Sequence, residues 1–408
     1  MPNGNSHPAN YLTLPHWHYQ PKLKGLSGIY LNTAIRNLAF AFLGIFIPIY
    51  IYQLTQQIKA VFLFYLIRNI SLLVAILPAG QLISRIGPDW SMLVSNLTAA
   101  AFFFFLTLAP KHPWSLWSAA ILPGLIINLY WIPYHSAFSS VSHKQKLSKE
   151  IAHLNNITRL ASALAPLLGG VLAVELGFSS LLWLGIILLL TSSLPVFLDE
   201  YKRKEKIPPL KKIEKEMLFS QNKYLFSSFF FQGLRMLIDT AAWPIILYLA
   251  IPNLEKIGGL TTFTLILSLI IVNYLGQKLK RFKILPFYWG NVVRNLVWAF
   301  RALSQNPFLI ALTDPAYQTA TIFVDFPRSV LIYQLGKKRP LSFFVERELS
   351  LHLGRLTATL VIFLLLTLNF PWQIIPFLAA IALGLATISM IKFQQTQRKG
   401  FRLKLCRL

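Results

Sequence analysis

Two aspartates stand inside long apolar stretches, and each has an arginine within one helical turn. Arg235 and Asp239 are four residues apart, so on a helix they share a face and can pair. Asp325 and Arg328 are three apart, on either side of Pro327. Each pair has two readings. It is a neutralised structural pair, or its carboxylate couples to protons, its ionisation alternating between a solute and the arginine. Other arginines lie within or at the ends of apolar segments: Arg36, Arg68, Arg159, Arg294, Arg301, Arg347 and Arg355. In the first half of the chain every acid falls near a segment end, at Asp89, Glu150, Glu175, Asp199 and Glu200. Charges at membrane depth are costly and usually face a partner or a cavity, so an interior biased to arginine suits an anionic or zwitterionic ligand. Arg159 and Arg355 could together hold an anion bidentately, or could cap helix carbonyls and meet Glu346 or Glu348. Arg36, Arg68 and Arg294 are further cavity candidates. Arg301, near a predicted membrane boundary, is expected to snorkel to the interface. The run Asn128-Leu-Tyr130-Trp131-Ile-Pro133-Tyr134-His135-Ser136 reads as the lining of a solute path or as an interfacial aromatic belt.

Hydrolytic and metal chemistry find little support. No His-Glu-x-x-His occurs, and no two acids stand together at depth. The one cysteine, Cys406, permits neither an internal disulfide nor a cysteine metal site. No enzyme, metal or cofactor is expected.

The elements that must position these residues are membrane helices. Of 408 residues, 55% are hydrophobic and 13% charged, against roughly a quarter charged in soluble domains. Mean hydropathy is +0.55. The net charge of +25 falls in short clusters between apolar runs, the pattern of loops at an anionic lipid surface rather than of a nucleic-acid face. A helix needs roughly 20 apolar residues to cross the bilayer. On that measure the spans fall at about 27–53, 59–83, 90–109, 114–140, 150–175, 178–198, 223–250, 256–279, 285–303, 308–335, 346–369 and 372–393. Lys59, Lys111 and Lys256 are the basic residues on one side of such an arrangement. The other side carries Arg85, Lys144, Lys146, Lys149, Lys278, Lys280 and the tail after Lys392. The positive-inside rule therefore places both termini and the central loop in the cytoplasm. The expected domains are a tail at 1–25, six helices over 26–199, a linker over 200–222, six helices over 223–395 and a basic tail at 396–408.

The two halves repeat each other. Gly80-Gln81-Leu82-Ile83-Ser84-Arg85 is echoed by Gly276-Gln277-Lys278-Leu279-Lys280-Arg281, Arg159-Leu160 by Arg355-Leu356, and Pro48 by Pro244, all at one separation. Pro133 and Pro327 match two residues closer.

With these features the chain resembles the major facilitator superfamily. That family joins its second and third spans with Gly-x-x-x-Asp-Arg-x-Gly-Arg/Lys, where this chain has Gly80, Ser84, Arg85 and Gly87, then Pro88-Asp89. Both glycines and the arginine agree; the aspartate is Ser84. In the family this loop forms a charge lock with span eleven, so the resemblance implies a tight turn here with the lock weakened. Ala165-Pro166-Leu167-Leu168-Gly169-Gly170 resembles the Gly-Pro-x-x-Gly-Gly motif of the family's exporters, though small residues here also serve plain packing. The resemblance implies an all-α fold of two six-helix bundles related by a pseudo-two-fold axis. It also implies a monomeric secondary transporter of a small solute in the cytoplasmic membrane, with proton-coupled efflux one reading and the direction of transport and the coupling ion left open. Span one carries Arg36 where proton-coupled exporters often carry an acid, which speaks against a cationic drug exporter. A non-transporting sensor or scaffold on the same fold is the alternative from another class.

Overall fold

The computed structural model describes residues 27–142, 147–198, 213, 222–278, 285–304 and 306–405. Among these the chain forms twelve helical spans and no strand. Span one consists of Ser27–Leu43 and Phe46–Thr55. Span two is Ile58–Ile86 and span three Pro88–Leu108. Span four joins Pro113–Ile121 to Pro123–Val141, and span five joins Leu147–Ser162 to Ala165–Glu175. Span six is Gly177–Ser192. Span seven comprises Lys223–Leu237, a π-helical turn Ile238–Ala242 and Trp243–Ala250. Span eight is Leu254–Lys278 and span nine Leu285–Leu303. Span ten joins Pro307–Leu312 to Asp314–Gly336. Span eleven is Pro340–Thr367 and span twelve Ile375–Leu405.

Nine of these are long and apolar enough to cross a membrane, and Gly177–Ser192 is a shorter apolar helix. Spans nine and ten hold Arg294, Arg301, Asp314, Asp325 and Arg328, and those polar groups lower their hydropathy. Large apolar side chains cover the outside, Val74, Leu160, Leu296 and Phe308 among them, as lipid contact requires. The protein is an all-α, multi-pass membrane protein.

Local sequence explains the breaks. Gly87 takes a φ of +88° between spans two and three, a backbone conformation that an L side chain rarely adopts. Pro88, Pro113 and Pro340 then open their helices at the position where a missing N–H costs nothing. Spans seven and eleven cross so closely that a Cβ on Gly233 would meet the Leu351 carbonyl, and one on Gly354 the Phe230 carbonyl. Glycine there permits the close approach.

Three expectations about boundaries and loops need correction or fall outside. Span twelve continues as helix to Leu405, because Gln394–Arg402 contains good helix formers and its basic residues suit a helix C-terminus. Ser84 donates to the Gln81 carbonyl at 2.7 Å, a bond within its own helix rather than one to a helix N-terminus. The tail 1–25, most of the 200–222 linker and Cys406 lie outside the described residues.

The halves are bonded to each other at both faces. At the face where span one begins and span twelve ends, His135 Nδ1 lies 2.7 Å from the Tyr333 hydroxyl, and Ser139 donates to the Tyr333 carbonyl at 3.0 Å. Lys337 reaches the Ser142 carbonyl at 2.7 Å. At the opposite face Gln53 donates to the Tyr248 hydroxyl at 2.8 Å, and the Leu167 N–H to Thr262 at 3.1 Å. There a Cβ on Gly170 would stand 2.5 Å from the Leu254 carbonyl, so the Pro166–Gly170 segment packs directly on span eight.

Candidate functional site

Asp239 lies in the π-helical turn of span seven, where the helical bond pattern is locally widened, a deviation often found at functional sites. Arg235 Nη1 meets its Oδ2 at 2.5 Å. The Tyr317 hydroxyl of span ten donates to Asp239 Oδ1 at 2.7 Å and accepts from Arg235 at 3.3 Å. This carboxylate is therefore held from two sides. Asp325 is held more loosely: Arg235 Nη2 and Arg294 Nη1 each stand 3.7 Å from it, beyond hydrogen-bond range. Its Oδ1 has no hydrogen-bond partner among the described residues.

Four arginines, Arg159, Arg235, Arg294 and Arg328, lie within electrostatic reach of Asp325. Arg159 is the member supplied by the N-terminal half. Among the described residues it has no hydrogen-bond or ion-pair partner, and the carboxylate it feels is Asp325. Among these described groups, four arginines stand against two aspartates, a surplus of two positive charges. Such a centre attracts an anion.

The expected Asp325–Arg328 pair is not formed. Arg328 turns to span seven, donating to the Ser228 carbonyl at 3.0 Å and its hydroxyl at 2.8 Å. On a helix of span ten's geometry its side chain points into the bundle, where those acceptors lie, while Asp325 is shared by Arg235 and Arg294. Arg301 does not snorkel. It is 3% exposed, stacks 3.5 Å over the Trp243 ring and pairs with Asp314 at 3.0 Å. Burying aromatic face and carboxylate together outweighs its access to water.

The remaining candidates sit apart from this centre. Arg36 bonds Asn96 and lies 3.8 Å over the Tyr130 ring, whose hydroxyl donates to Asn32 at 2.9 Å. It knits spans one, three and four together. Arg355 meets His352 at 2.9 Å and the Met236 sulfur at 3.5 Å, not Arg159. Glu348 instead bonds Arg347 at 2.6 Å. Arg68 donates to Asn69 at 3.1 Å, and Asn69 to Thr359 at 2.7 Å. With His352 against Asn128 at 2.9 Å, these groups form a polar seam joining spans two, four and eleven.

Tyr317, Ser228, Asn291 and His352 escaped the sequence reading. Asn291 and His352 each precede an arginine by three residues, a helix-face spacing that was available as a signal. Nothing in the chain marks Tyr317, which reaches Asp239 only through the packing of span ten on span seven.

Residues 29–399 match the profile of the Major Facilitator Superfamily. No relative among the curated proteins matches in sequence. Solved structures share the fold at low identity. The human organic anion transporter MFSD10 (TETRAN) is 12% identical with TM-score 0.67, covering 92% of this chain and 100% of its own. A mutant of the nucleoside transporter NupG is 12% identical with TM-score 0.64, over 90% of this chain and 98% of that one. A bacterial homologue of the iron transporter ferroportin, in an outward-facing state, is 14% identical with TM-score 0.65, over 91% and 98%.

Proposed function

The chain belongs to the Major Facilitator Superfamily, and from that premise we propose that it is a secondary transporter moving a small anionic solute by alternating access. The observation that carries this reading is the surplus of arginine around Asp325, with Arg159 from one half and Arg235 and Arg294 from the other all within its electrostatic reach. A solute anion bridging Arg159 to that pair would draw the halves together about itself, the way such folds bind at the repeat interface.

The same geometry supports a coupling step. Asp325 is the loosely held counter-ion of the very arginines the solute needs. An incoming anion competes with it, and the displaced carboxylate, left at depth without its partners, takes up a proton. Release reverses both events, so solute and proton move as linked charges. Asp239, clamped by Arg235 and Tyr317, holds Arg235 in place throughout. A zwitterionic solute is the second reading, favoured by Asp325 Oδ1, which would accept from an ammonium group.

The protein works as a monomer in the cytoplasmic membrane with both termini inside. The Pro166–Gly170 segment forms part of the seam at the opposite face, and its likeness to the exporter motif supports outward movement, in which the proton leaves together with the solute down the solute's own gradient. The test is flux in proteoliposomes across a panel of carboxylates, phosphates and amino acids, with and without a pH gradient. Arg159→Gln should abolish flux of the transported solute while leaving the purified protein folded. Unaltered flux in that variant removes the cradle. No flux of any solute, with ligand binding retained, would point instead to a sensor.

A further inference from the structure

A cavity of about 10 Å³ lined by the C-terminal bundle shares Arg294 with the proposed solute site. Spans seven, nine, ten and twelve line it with Ser228, Asn291, Arg294, Arg328 and Thr387 among its residues. No carboxylate lines it. Arg294 is 2% exposed and Arg328 6% exposed, and the Nε of each has no hydrogen-bond partner among the described residues. The two guanidinium groups also lie within electrostatic reach of each other. Buried donors left unsatisfied are uncommon in folded proteins and costly, and two like charges beside one cavity add repulsion.

The neighbours relieve this only in part, since Asp325 stands 3.7 Å from Arg294 Nη1, beyond hydrogen-bond range. The Asn291 oxygen already accepts from Arg294 Nη2 at 2.8 Å and from Thr387 at 2.9 Å. Ser228 is taken by Arg328 Nη2. A water would supply an acceptor but no charge. The geometry points to a resident halide, chloride being the chemical class, bound between Arg294 and Arg328 as a fixed counter-ion of the C-terminal bundle. The cavity is partly open, and its inner space is about that of one small ion, which suits a halide better than a larger anion. The chloride balances one of the two surplus positive charges, leaving the other for the solute between Arg159 and Arg235, with Arg294 shared by both anions.

Purified full-length protein, titrated with sodium chloride, bromide or gluconate at constant ionic strength, tests this. Chloride and bromide should raise the unfolding midpoint in a saturable way and gluconate should not, since binding to the native state alone stabilises it. Arg328→Gln should weaken the apparent halide affinity by roughly tenfold or more, the loss of one charged donor. Ala386→Leu, which fills the cavity, should abolish the halide effect and serves if Arg328→Gln misfolds. On the unaltered protein, bromide anomalous scattering should place one peak between the Nε atoms of Arg294 and Arg328. Equal stabilisation by gluconate, or a peak absent there, overturns the site. A bromide peak at Arg159 instead also overturns it while leaving the transport reading intact. Halide binding without any solute flux would sink the transport reading alone.

Discussion

Asp239 and Asp325 differ in how they are held, and under the proposed function that difference gives them separate roles. Asp325→Asn removes the carboxylate that the proposed cycle sets in competition with the solute. Solute affinity should rise about tenfold, and flux should stop responding to a pH gradient; equilibrium binding and gradient-driven uptake on one preparation check both. Should the variant keep its pH response, Asp325 is not the coupling group. Asp239→Asn acts differently, loosening Arg235 and Tyr317 together, and its main effect should be on solute binding. Arg301 and Asp314 offer a contrast away from the site. Arg301→Ala leaves a buried acid unpaired and should destabilise the fold by about 3–5 kcal/mol. Arg301→Met combined with Asp314→Leu should recover most of that loss, because replacing a whole buried pair is far cheaper than breaking one. Denaturation of the three proteins in detergent decides the matter.

At the scale of elements, small residues set which helices can touch. Gly233 and Gly354 bring spans seven and eleven together within the C-terminal bundle, and Gly354→Val should prevent that bundle from folding. Gly170 and Gly258 do the same across the halves, between spans five and eight. Gly170→Val should leave each bundle intact and wedge the seam between them. In a Cys406→Ala background, a cysteine at Gln53 should then label several times faster from that side than in the unwedged protein. Equal labelling rates would show that this seam does not open. The π-helical turn at Asp239 belongs to this scale too, since the widened turn is part of how Arg235 and Tyr317 both reach one carboxylate.

The whole molecule is bonded across its two halves at both faces. Alternating access requires each seam to part in turn. A short bifunctional thiol reagent joining cysteines at positions 135 and 333 should therefore stop flux, and so should one joining positions 53 and 248. A reagent with a cleavable spacer should restore flux on cleavage. Flux that persists with either seam joined would rule out rocking of the halves.

The twelve spans, their division into two bundles and the tight turn at Gly87 were legible in the sequence, because apolar length, internal repetition and glycine or proline placement are properties of the chain itself. So was the positive bias of the interior, since arginine within apolar sequence is visible without coordinates. Pairing within one turn was legible for Arg235 and Asp239, whose spacing places them on one face. It failed for Asp325 and Arg328, because Arg235 and Arg294 come from other helices and Ser228 offered Arg328 better acceptors. The fate of Arg301 likewise waited on Trp243 and Asp314 being packed beside it. Which charges meet depends on helix rotation and crossing, and those are fixed by packing between segments far apart in the chain. Sequence determined what the membrane must hold; tertiary structure alone decided which carboxylate is clamped and which is loosely held.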